Sequence, residues 1–118
     1  MTQAKHRKEV AFPLPDDRHY VLLDDTIYEC PCDPFLTLRC LGEIIKKSGR
    51  KRVTLEIRDL KRFTRRGLLT PRTKILLLTW QPGWFPAWLV LSVLGEDFDV
   101  EIWGRKGRNR LRYVLDKK

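Results

Sequence analysis

A chain of 118 residues, 42% of them apolar and 10% aromatic, has the length of one domain and enough apolar content for a core of its own, which excludes a wholly disordered chain. Its formal charge of +9, from 24 basic and 15 acidic residues, favours polyanions as partners: DNA, RNA or an anionic membrane surface. Three cysteines, an odd number, do not make a disulfide framework and fit a reducing intracellular compartment, cytoplasm or nucleus.

Residues 1–18 read as a polar N-terminal arm, with loop signals at Phe12-Pro13-Leu14-Pro15. No apolar run follows the basic residues of MTQAKHRKEV, so no signal peptide is expected. Residues 19–118 then make up one α+β domain. His19-Tyr20-Val21-Leu22-Leu23 reads as a strand, and Asp24-Asp25 turns it into Thr26-Ile27-Tyr28 as a short hairpin. A helix follows. Asp33 is its N-cap, Pro34 its first residue, and Leu38, Leu41, Ile44 and Ile45 its apolar face. Lys46 and Lys47 suit the negative end of the helix dipole, and Gly49 ends it.

The next stretch, RKRVTLEIRDLKRFTRR at 50–66, holds eight basic and two acidic residues. As a strand, Val53, Leu55 and Ile57 alternate with Thr54, Glu56 and Arg58. As a helix, Val53, Ile57, Leu60 and Thr64 line one side, and Arg58, Lys61, Arg62, Arg65 and Arg66 the other. The pattern favours a short basic helix over 59–66, started by Asp59 and ended by Gly67, and leaves 52–58 open between the two. The surroundings sharpen the charge. Residues 46–74 carry twelve basic and two acidic side chains, whereas 1–45 carry five and eight and 75–118 seven and five. A solvated face usually mixes and pairs its charges, and here the local acids, Glu56 and Asp59, are too few.

After Pro71, Thr73–Trp80, Ala87–Leu94, Phe98–Trp103 and Arg110–Leu115 are each of strand length, separated by turn residues. They suggest an antiparallel meander. The segment 86–94 also reads as a buried helix, started by Pro86 and stopped by Gly95. The fold expected is therefore α+β, with one N-terminal helix and a short basic helix packed on an antiparallel, meander-like sheet.

Ile75 to Leu94 is free of charge over twenty positions, the length of a membrane-spanning helix. Pro82-Gly83 and Phe85-Pro86 break it near its centre, so no membrane span is expected. Two core elements joined by a turn is the plainer reading. If exposed, Trp80, Trp84, Phe85 and Trp88 would dock a protein partner.

Three clusters bear on chemistry. Cys30, Cys32 and Cys40, with His19 as a fourth donor, could make up a zinc site, although buried thiols and an oxidation-induced disulfide are the alternatives. Asp97, Asp99 and Glu101 near Lys106 have the residue types of a metal-dependent nuclease, but Trp103 stands where a strand-borne lysine is expected. Residues 104–112, GRKGRNRLR, form a basic hairpin tip. Its GRKG resembles in outline the backbone-clamping loop of KH domains, but a strand pattern follows it where that family has a helix, so the family is not assigned. The order of helix, basic helix and basic hairpin is similar in outline to winged-helix proteins.

The function expected is nucleic-acid binding through phosphates. Arg58, Lys61, Arg62, Arg65 and Arg66 form one contact surface, and Arg105, Lys106, Arg108 and Arg110 the other. The alternatives are a protein-interaction subunit docking through the Trp-rich segment 80–88 and, behind it, the nuclease. No catalytic residue, metal ligand or cofactor is assigned.

Overall fold

The computed structural model describes residues 18–24, 26–30, 33–62, 73–104 and 112–118, with Arg62 in its backbone only. In chain order the elements are β1 (His19–Leu23), β2 (Thr26–Cys30), α1 (Pro34–Ser48), β3 (Arg52–Asp59), β4 (Lys74–Thr79), α2 (Ala87–Leu94), β5 (Phe98–Trp103) and β6 (Arg112–Lys117). The class is α+β: among the described residues two helices pack on one six-stranded sheet of order β2-β1-β4-β3-β6-β5.

Local chemistry explains most of these elements. Asp33 has extended dihedrals, and its carboxylate accepts the Leu36 amide at 2.9 Å, satisfying a donor that the first turn of α1 leaves free. Gly49 closes the helix at φ 74°, a left-handed conformation that costs glycine nothing. Between these caps Leu38, Leu41 and Ile45 are fully buried against the sheet. Gly42 lies where α1 meets α2, and a Cβ there would stand 3.3 Å from Leu94 Cδ2. In α2, Pro86 precedes the first turn and Gly95 ends the last. Val90 and Leu94 face the core, while Trp88 and Leu91 face outward.

Three expectations are corrected or settled. First, the sheet is mixed and is not a meander. β3 and β4 run parallel, with Thr54 opposite Lys74 and Asp59 opposite Thr79, while the other neighbours are antiparallel. Second, of the two readings of this segment, strand and buried helix, the structure has the helix: Ala87–Leu94 forms α2, in which seven of the eight residues are apolar, all but Ser92. Third, Arg52–Asp59 is a strand, which settles the open stretch 52–58 and makes Asp59 the end of β3 where it was expected to start a helix. The chain then makes only a 3-10 turn, Leu60–Arg62, in which the Asp59 carboxylate accepts the Lys61 amide at 2.9 Å. The rest of the expected basic helix, 63–66, lies outside the described residues. Of the basic helix in the winged-helix outline, the described part, 59–62, is the end of a strand and a 3-10 turn.

The uncharged run 75–94 is divided among β4, a 3-10 turn at Pro82–Trp84 and α2. Among the described residues no helix is long and apolar enough to cross a membrane.

Strand alternation divides the side chains between two faces. One face carries Val21, Leu23, Val53, Leu55, Ile57, Ile75, Leu77, Phe98, Tyr113 and Leu115 into the main core under α1 and α2. Burying each large apolar side chain there contributes about 1.5–3 kcal/mol. The opposite face is split. Over β2, β1 and β4 it is apolar, with Tyr20, Leu22, Ile27, Leu76 and Leu78 joined by Leu60 and flanked by Trp80. Over β3, β6 and β5 it is charged.

Candidate nucleic-acid interface

The charged half of the sheet is built by register. Glu56 on β3 lies opposite Arg112 on β6, and Arg112 lies opposite Trp103 on β5. Two residues towards the start of β3, Thr54 faces Val114, and Val114 faces Glu101. Two residues further back, Arg52 faces Asp116, which faces Asp99. Arg58 projects from the same face of β3, one step beyond Glu56.

Glu56 organises the end of this face nearest Trp103. Its side chain is 8% exposed and meets three cations. Arg58 donates from Nε and Nη2 to Oε1, at 3.1 and 2.8 Å. Lys74 Nζ and Arg112 Nε stand 3.1 and 3.0 Å from Oε2. Burial alone would push this carboxyl up, but the Arg58 and Lys74 contacts outweigh it and hold its pKa below the ordinary value. One carboxylate therefore fixes three cations and leaves the cluster with an excess of two positive charges. Arg58 and Arg112 remain about half exposed, so their unused donors can reach a ligand.

The strand surface as a whole is close to balanced. Arg52 makes a bidentate pair with Asp116 at 2.6 and 3.0 Å. Lys46 pairs with Asp97 at 2.9 Å, and Arg50 with Asp24 at 2.6 Å. The shortage of local acids at 46–74 is thus made good in part by Asp24, Asp97 and Asp116 from distant elements. The formal excess of positive charge lies in two segments of the sequence. Residues 61–72 contain five basic side chains and residues 105–111 contain four, with no acid in either segment. Those nine equal the whole formal excess of the chain, and the remaining residues sum to zero.

The topology relates these two segments. β3 ends at Asp59, and the chain leaves it into residues 61–72. The β5–β6 hairpin opens between Trp103 and Arg112, which is opposite Glu56, three residues before the end of β3. Both basic segments therefore leave the described fold at the same end of neighbouring strands, and the first returns to the sheet at Thr73, at the opposite end. Of the residues expected to bind phosphate, the structure places Arg58 on β3 beside Glu56 and Lys61 exposed in the 3-10 turn. Arg62 is placed by its backbone alone. Arg65, Arg66, Arg105, Lys106, Arg108 and Arg110 lie outside the described residues. Arg112, read as part of the basic hairpin tip but not among the expected contact residues, and Lys74, which was not singled out, join the Glu56 cluster. Arg112 carried a signal, because it sits at the foot of the basic hairpin.

Trp103 is a second unanticipated feature. Its side chain stands on the charged face opposite Arg112, and the residue is 56% exposed. Its indole N–H donates to Glu101 Oε1 at 3.0 Å, which fixes the ring.

The other candidates are placed as follows. Asp99 and Glu101 share the charged face of β5, but Asp97 sits in the preceding turn, paired with Lys46. Lys106 lies outside the described residues. Among the described residues no group of three His, Cys, Asp or Glu side chains is arranged to hold a metal ion. His19 is buried edge-on to Phe85 and Trp84, with ring centroids 5.3 and 6.1 Å apart. Burial lowers its pKa, opposed in part by Asp33. Cys30 and Cys40 are adjacent free thiols, and Cys32 lies outside the described residues.

The Trp-rich segment does not act as one exposed patch. Phe85 is 3% exposed and belongs to the main core, a correction that follows from its packing on His19. Trp80 is half-buried against the second cluster, while Trp84 and Trp88 are exposed. No protein-family model, curated protein or solved structure matches this chain.

Proposed function

We propose that this protein binds nucleic acid, chiefly through phosphates, at the end of the sheet where β3 and the β5–β6 hairpin open. The observation that carries the reading is the location of the charge: the full +9 resides in two acid-free segments that leave neighbouring strands at one end. Concentrated like charge destabilises a folded chain through self-repulsion, and a polyanion offsets that cost. Arg58 and Arg112, held by Glu56, would flank the contact, and Trp103 offers an exposed ring on which a base can stack. Filter retention of duplex and single-stranded probes across a salt series tests this. With six or more phosphate contacts, affinity should fall by about a thousand-fold or more between roughly 50 and 200 mM salt. Absence of retention of any probe at low salt would refute the reading.

A second reading, a protein-interaction subunit, is supported by the outer surface of the helix layer. Trp88 is 69% exposed there, with Leu91 and Phe35 also exposed. In a pull-down with Trp88→Ser, partners held by this surface should be lost while nucleic-acid retention stays unchanged. An unaltered set of partners would sink this second reading.

A further inference from the structure

Cys30 is the last residue of edge strand β2, and Cys40 lies on the second turn of α1. Their Sγ atoms are 3.0 Å apart, with Cys30 donating to Cys40. That leaves about 1 Å of approach before a disulfide bond length is reached. The two sulfurs differ in access: Cys30 is 1% exposed, whereas Cys40 is half-buried and open to small solutes.

We propose that Cys30 and Cys40 are a peroxide-oxidisable pair whose disulfide locks α1 onto β2. The Cys40 thiolate attacks one oxygen of hydrogen peroxide. The O–O bond breaks, leaving a sulfenic acid on Cys40 and hydroxide, which takes up a proton and departs as water. Cys30 sulfur then attacks Cys40 sulfur. The S–S bond forms, the S–O bond breaks, and a second water leaves with the Cys30 proton. Two thiols lose two electrons, and one peroxide is reduced to two waters. The order of attack follows from access and from the hydrogen bond that Cys40 accepts, which holds its thiol below the ordinary value while Cys30 is raised. The cross-link closes the chain across Asp33 and the first turns of α1, so it restrains the unfolded chain and ties a helix to an edge strand.

The test uses the full chain carrying Cys32→Ser, which removes the third cysteine. Trypsin cuts after Arg39, between the two thiols, so the peptide ending at Arg39 and the peptide beginning at Cys40 stay joined only through this bond. After peroxide treatment the joined pair should appear under non-reducing conditions and vanish with dithiothreitol. The oxidised chain should melt roughly 10 °C higher than the reduced one, and Cys30→Ser should abolish both effects. Peroxide that leaves the two peptides separate, with Cys40 carried on to sulfinic acid or both thiols still alkylated, would overturn the proposal. So would a stoichiometric zinc ion that protects the wild-type thiols and is lost in Cys30→Ser.

Discussion

Reversing four arginines, Arg65→Glu, Arg66→Glu, Arg105→Glu and Arg108→Glu, is expected to lower nucleic-acid affinity by about a thousand-fold or more at moderate salt and to flatten its salt dependence. The four substitutions take the formal charge from +9 to +1, so the measurement needs a control with the same net change made elsewhere. Arg39, Lys47, Lys51 and Lys117 are exposed and lie in α1, at the start of β3 and at the end of β6. Their reversal also reaches +1, but it leaves the two acid-free segments intact. If binding depends on a local patch, the control loses only the long-range attraction, which salt screens within about 10 Å at 0.1 M. Equal losses in the two quadruple variants would mean that only total charge matters and would remove the proposed interface. Replacing the same four arginines by lysine separates field from geometry. Affinity that survives marks point-charge attraction, and affinity that drops marks bidentate guanidinium contacts.

The sequence discloses some elements of this fold better than others, for physical reasons. α1 was legible because its boundaries are set by side chains within a few residues: Asp33 caps it and Gly49 closes it. β1 and β5 were legible because strand-length apolar or alternating runs are bracketed by turn residues. Residues 52–58 were ambiguous because Val53, Ile57 and Leu60 satisfy a helical spacing while Val53, Leu55 and Ile57 satisfy a strand spacing. Long-range partners settle the choice: Leu55 lies between Ile75 and Tyr113 in the sheet, and these partners are absent from any local window. The parallel pairing of β3 and β4 was missed for a related reason. Sequence neighbours suggest hairpins, and a parallel pair reveals itself only when a crossover is recognised. The candidate site shows the same division. The basic segments can be counted directly, but the neutralisation of Lys46, Arg50 and Arg52 by Asp97, Asp24 and Asp116 depends on tertiary structure.

Glu56 is where stability and binding oppose one another most directly. Glu56→Gln keeps the size of the side chain but removes the charge that holds Arg58, Lys74 and Arg112 together. Removing one partner of a buried pair costs about 3–5 kcal/mol, and because two of the three cations here are about half exposed, about 2 kcal/mol is the expected loss. Urea unfolding should show it as a lower midpoint at unchanged slope. The pH dependence has a definite sign. The folded-state pKa of Glu56 lies below its ordinary value, so its contribution is present above the ordinary glutamate range, about 4.3, and fades as pH falls through the lowered folded value. The wild-type chain should therefore lose stability over that acid window by more than Glu56→Gln does. Binding should move the other way. The substitution adds one unit of positive charge beside the mouth of the β5–β6 hairpin and frees guanidinium donors for phosphate, so affinity at fixed salt should rise several-fold. A variant that is both less stable and binds no better would place Glu56 in the scaffold alone and move the phosphate contacts away from Arg58 and Arg112. Weaker folding with tighter binding would identify Glu56 as the internal anion that occupies the cationic cluster until a phosphate displaces it.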